Sequence, residues 1–220
     1  MSILDNLQST YTQLPPHVTL VAVSKTKPIS SIMALYNAGH RIFGENKIQE
    51  LVGKYNQMPK DIKWHMIGHL QRNKVKYIAS FIDLIHSVDQ FRLLQEINRQ
   101  AEKHQRVIPC LLQIKIASEE SKFGMSYEDV FHMVTSHNFN KLQHIKVIGL
   151  MGMATYTEDR GQIKKEFDYL KAVYDDLKAI QKDNFYLEIL SMGMSSDYNI
   201  AIDSGSNMVR IGSHIFGSRN

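Results

Sequence analysis

Eight short apolar runs punctuate this chain, and between them lie longer segments whose apolar residues recur at helical spacing. The runs cover residues 18–23, 41–43, 64–67, 84–88, 107–116, 145–151, 186–190 and 208–211. A strand followed by a helix, repeated eight times, predicts parallel strands joined by right-handed crossovers. Runs such as V-T-L-V-A-V are apolar on successive positions, as strands buried on both faces require. Eight units favour a closed (β/α)8 barrel, an α/β fold, over an open doubly wound sheet. No G-x-G-x-x-G or G-x-x-x-x-G-K-[ST] follows a strand, which weakens the Rossmann-like alternative.

The helical segments carry their own punctuation. Pro28 stands at the first helical position of one, and Gly39 follows its end. Residues 45–57 close before Pro59. Residues 89–104 put Phe91, Leu94 and Ile97 on one face, and 158–182 put Phe167, Leu170, Tyr174 and Leu177 on another. A polar helix at 3–13 is expected before the first strand, so residues 1–15 form an N-terminal extension of a single domain spanning 1–220.

Composition narrows the function classes. The 220 residues are 43% hydrophobic and 22% charged, enough apolar side chain for one sizeable core and too little charge for a disordered polyelectrolyte. The net charge of +4 comes from scattered Lys and Arg, so nucleic acid is not an expected partner. Cys110 is the single cysteine, which excludes an internal disulfide, CxxC redox chemistry and cysteine-rich zinc sites. With no signal-peptide pattern and no apolar stretch of about 18 residues, the expectation is a cytoplasmic protein off the membrane.

In either α/β architecture the chemistry sits where strands end. Ser24-Lys25-Thr26-Lys27 follows the first run, Gly44-Glu45-Asn46 the second, and Gly68-His69 the third. Lys25 ends a strand of apolar neighbours. Desolvation there favours the neutral amine, a nucleophile that forms Schiff bases with aldehydes; the alternative is an ordinary loop lysine. After the seventh run, Gly193–Ser196 leads into a short helix at 197–203, and Gly212-Ser213 follows the eighth. Backbone N–H groups and serine hydroxyls there make a phosphate site, at the place where this barrel class often has one. Tight turns at Gly193 and Gly212 and a helix cap at Ser195 are the structural alternative. Arg210, inside an apolar run, either pairs with a carboxylate or points at a ligand in the barrel mouth. His65-x3-His69 has a metal-like spacing, but it crosses from strand into loop with no carboxylate at ligand spacing, so no metal is expected. Met151 and Met153, either side of Gly152, read as packing and pocket wall.

Taken in order, V-A-V-S-K-T-K-P (21–28), F-G-E-N-K-I-Q-E (43–50), W-H-M-I-G-H-L-Q-R-N-K (64–74), E-S-K-F-G (120–124), G-L-M (149–151), S-M-G-M-S-S-D (191–197) and V-R-I-G-S-H-I-F-G (209–217) run through nearly the whole chain. This set resembles the pyridoxal phosphate homeostasis protein family. The resemblance implies an alanine-racemase N-terminal-domain-like barrel with pyridoxal 5′-phosphate (PLP) held as a Schiff base on Lys25. It further implies phosphate contacts from Ser195, Gly212 and Ser213, with Arg210 facing the pyridine nitrogen and Asn46, Ile67 and Met151 lining the surroundings. His69 stands where many relatives carry proline, and Lys115 where many carry asparagine.

An arginine at the ring nitrogen can only donate to it, so the ring remains a weak electron sink. Alanine racemases add a second domain with an opposite-face base, and this chain ends after the last barrel element. The expectation is therefore a non-enzymatic, monomeric protein of PLP homeostasis, buffering and delivering the cofactor to PLP-dependent apoenzymes. The alternatives are a weak PLP-dependent amino-acid racemase or decarboxylase and, more remotely, a Schiff-base aldolase acting on sugar phosphates.

Overall fold

The structure is a computed structural model that describes residues 2–119 and 123–217. Positions 120–122 of the E-S-K-F-G motif lie outside the described residues. In chain order the elements are α1 (Ile3–Gln13), β1 (Thr19–Val23), α2 (Ile29–Asn37), β2 (Ile42–Glu45), α3 (Ile48–Gln57), β3 (Lys63–Met66), a 3-10 helix (Arg72–Tyr77), β4 (Leu84–Val88), α4 (Phe91–Lys103), β5 (Ile108–Gln113), α5 (Tyr127–Thr135), α6 (His137–Asn140), β6 (Ile145–Met151), α7 (Arg160–Leu177), β7 (Phe185–Met194), α8 (Tyr198–Asp203), β8 (Met208–Ile211) and α9 (Ser213–Phe216).

The strands pair in sequence order, all parallel, and β8 closes on β1 with Leu20 opposite Val209 and Val21 opposite Arg210. The expected barrel is present. Alternation along each strand divides the core in two. Leu20, Ala22, Phe43, Trp64, Met66 and Val209 pack outward against the helices. Val21, Leu84, Leu111, Met151 and Met208 form a smaller cluster in the barrel interior. The α7 stripe of Phe167, Leu170, Tyr174 and Leu177 is buried as its spacing predicts.

Several element limits shift by a few residues from the sequence reading, and three differences bear on the architecture. Pro28 caps α2 rather than opening it. The crossover from β3 to β4 carries only a 3-10 helix, in a stretch rich in charge. β7 extends through Met194, because Ser191 pairs with Met208 and Met194 with Arg210, so a small, polar stretch becomes strand. No helix among the described residues is long and apolar enough to cross a membrane.

Candidate functional site

At the carboxyl ends of the strands a cavity of about 490 Å³ is walled by residues from β1, β2, β3, β6, β7, β8 and their following loops. Seven of the eight residues expected at the site line it: Lys25, Asn46, Ile67, Ser195, Arg210, Gly212 and Ser213. Met151 does not. It is fully buried in the interior cluster, and Met153, two residues on, reaches the wall instead. The remaining wall includes Thr26, Met194 and His214, which fall in the strand-end stretches, and Val23 and Tyr156, which do not.

Lys25 stands in a turn tied down on both sides. The buried Lys54 ammonium donates to the Ser24 carbonyl (2.8 Å), Glu45 Oε1 (2.7 Å) and Glu50 Oε1 (2.6 Å), which uses all three of its protons. Glu50 Oε1 also accepts from the Thr26 amide at 2.5 Å, and the Ser24 hydroxyl donates to Glu45 Oε1 at 2.6 Å. Thr26 has φ 64°, a left-handed conformation that a β-branched residue adopts only when its surroundings impose it. Burial holds the Glu45 carboxyl above its ordinary value, an effect Lys54 offsets only in part. Lys27 also lines the cavity, but its Nζ donates to the Phe216 and Gly217 carbonyls at 3.2 and 3.3 Å, at the end of α9.

The β7 and β8 loops meet. The Gly212 amide donates to Ser195 Oγ at 3.3 Å, so the hydroxyl and the amide read as anion donors share one place. Their approach depends on two glycines. A Cβ on Gly193 (φ 96°) would lie 2.7 Å from the Ala201 Cβ and 2.9 Å from the Tyr198 Cα. One on Gly212 would press within 3.2 Å of Val23. Arg210, 4% exposed, donates through NH1 to the Ser191 carbonyl and hydroxyl (2.9 and 2.6 Å) and through NH2 to the Gly152 carbonyl (3.0 Å). Desolvation lowers its pKa to about 10, against an attraction from Asp197.

The two histidines of the metal-like spacing part company. His65 lies in the barrel interior, whereas His69 pairs with Asp89 at 3.0 Å and stacks on Phe123 at the surface. Lys115 is exposed.

A lysine at the end of β1 and a hydroxyl–amide pair after β7 and β8 face one cavity at the mouth of a closed (β/α)8 barrel, the architecture of the alanine racemase type. A model of the alanine racemase N-terminal domain matches residues 2–220. Relatives named pyridoxal phosphate homeostasis protein include one from Aquifex aeolicus, 38% identical over 91% of this chain and 86% of its own. Another, from Synechocystis, is 38% identical over 94% of both. The chain belongs to the pyridoxal phosphate homeostasis protein family, within the alanine racemase N-terminal domain fold. The structure of PipY from Synechococcus elongatus with PLP bound superposes with a TM-score of 0.88 at 33% identity, covering 98% of this chain and all of that one. A Clostridium difficile alanine racemase shares the fold at 17% identity, with a TM-score of 0.77 over 99% of this chain and 56% of its own.

Proposed function

We propose that this protein binds PLP through Lys25 and holds it for intracellular cofactor homeostasis, without turning over a substrate of its own. The observation that carries the reading is the meeting of Ser195 Oγ and the Gly212 amide across the cavity that Lys25 also lines. The residues fit the cofactor. The volume suits a compact, phosphorylated ring, the two glycines let the β7 and β8 loops close on one place, and Arg210 supplies a donor buried at the wall. The relatives' name and the PLP found in PipY support the same reading.

When bound, PLP supplies an aldehyde for an amine to capture and an electron-withdrawing pyridine ring. Lys25 is the amine in position to capture it, with the peptides on either side fixed by Lys54 and Glu50. Ser195, Gly212 and Ser213 would take the phosphate. Arg210 carries donors and no acceptor, so at the ring nitrogen it would give a hydrogen bond and receive no proton. That arrangement holds the ring without making it a strong electron sink, which suits storage better than turnover.

Titrating the protein with PLP should produce a bound chromophore, and adding amino acids singly should release or perturb it without accumulating product. Sustained conversion of any amino acid would overturn the non-enzymatic reading, and no chromophore at all would overturn the site.

A further inference from the structure

Behind the cavity wall, four polar side chains are buried inside the barrel in an unbroken line. Ser191 and His86 are fully buried at 1% exposure or less, His65 is 3% exposed and Arg210 4%. Arg210 NH1 donates to Ser191 Oγ at 2.6 Å; Ser191 Oγ lies 3.2 Å from His86 Nδ1; His86 Nε2 lies 3.0 Å from His65 Nδ1. His65 Nε2 then faces Asp83 Oδ2 at 3.6 Å, just before β4 and so at the end of the barrel opposite the cavity.

The two ends fix the direction of every bond between them. A guanidinium can only donate. Ser191 Oγ accepts from it, and its own proton then goes to His86 Nδ1. A neutral His86 with a bare Nδ1 carries its proton on Nε2, which donates to His65 Nδ1. His65 in turn carries its proton on Nε2, towards the carboxylate. The reverse order would spend both Ser191 lone pairs on donors, leave the hydroxyl proton with no acceptor among the described residues, and turn a lone pair of His65 towards Asp83. Burial lowers the pKa of both rings, His86 well below its ordinary value, and keeps them neutral. Contact with His65, then Lys63 and Arg106, holds Asp83 below the usual carboxylate range.

We propose that His86 is the positioning residue for Arg210, the central link of a one-way hydrogen-bond chain that runs through the barrel interior from Arg210 at the cavity to His65, whose Nε2 faces the Asp83 carboxylate. His86 fixes the Ser191 rotamer, Ser191 fixes the guanidinium, and the aligned dipoles tie the charge at the cavity wall to a carboxylate on the far face. The proposal rests on the PLP reading for its cofactor-side test alone.

In the cofactor-free protein labelled with 15N-histidine, two-bond 1H–15N correlations at neutral pH should show bare Nδ1 and protonated Nε2 on both rings. A proton on His86 Nδ1 would overturn the chain. Loaded with PLP, His86→Phe should bind about tenfold more weakly or worse, as expected when the misplaced Arg210 guanidinium loses one hydrogen bond to the cofactor, and its absorption maximum should shift. Asp83→Ala, at a half-exposed position remote from the cavity, should shift the maximum in the same direction by less, and it serves alone if His86→Phe does not fold. Wild-type affinity and spectrum in every variant that folds would overturn the positioning role. A wild-type protein that takes up no PLP would instead sink the functional reading and leave the tautomer result standing.

Discussion

Lys54 shows how much of the site is held by a side chain that never meets the ligand. It and Glu45 are buried as an ion pair, with Glu50 a half-buried third member, and removing one partner strands a charge in the interior. Lys54→Met keeps the length and apolar stem but leaves Glu45 uncompensated. The expected cost is about 3–5 kcal/mol, as for other broken buried pairs, and urea unfolding of the cofactor-free protein measures it. The same substitution releases the Ser24 carbonyl and leaves Glu50 alone to hold Thr26, so capture of PLP should slow even where the variant stays folded. A variant with unchanged midpoint and uptake would show that the turn at Lys25 needs no such support.

The phosphate cradle belongs to two elements, since neither the loop after β7 nor the one after β8 makes it alone. Each charge-assisted hydrogen bond contributes about 1.5–3 kcal/mol, so pyridoxal without its phosphate should bind at least about two orders of magnitude more weakly than PLP. Equal affinities, by titration calorimetry, would remove the cradle from the account. Gly193→Ala tests how the loop is built. It forces an alanine into positive φ and drives its Cβ into α8, so a loss of about 1–3 kcal/mol from strain and a weakened phosphate preference are expected together.

These elements also show what the sequence makes legible. Strands β4, β6 and β8 read at their observed limits because a strand apolar on both faces leaves an unbroken run. The end of β7 does not, since S-M-G-M becomes strand only through pairing with β8. Lys25, Ser195 and Gly212 are legible from the rule that chemistry follows strand ends, and Arg210 as a permanent charge inside an apolar run. Met151 comes to the site only through the family resemblance, and the wall begins two residues further on, at Met153. His86 and Lys54 carry no local signal. Their partners lie on other elements, as with Ser191, 105 positions from His86 along the chain.

At the scale of the whole molecule, neutral buried rings couple stability to pH. Burial lowers the pKa of His40, His65 and His86 below 6.5, so between those folded values and 6.5 the unfolded chain binds more protons than the folded one. Stability from this source is complete above about pH 6.5 and is lost as pH falls through the window beneath it. Carboxylates with lowered values, Asp83 and Glu96 among them, add their loss only at more acid pH, below about 4. The urea midpoint should therefore be flat from pH 8 to 7 and decline towards pH 5, less steeply in His86→Phe. A midpoint that stays level to pH 5 would mean the rings are not held neutral.

The central claim is that this barrel carries PLP on Lys25. Reducing the loaded protein with borohydride, then digesting it and weighing the peptides, tests this directly. One equivalent of pyridoxyl label per chain should appear on Lys25, persist in Lys27→Ala and vanish in Lys25→Ala, which should keep its fold and a weaker, non-covalent hold on PLP through the phosphate. Label recovered on Lys27, retained in Lys25→Ala and lost in Lys27→Ala, would contradict the account.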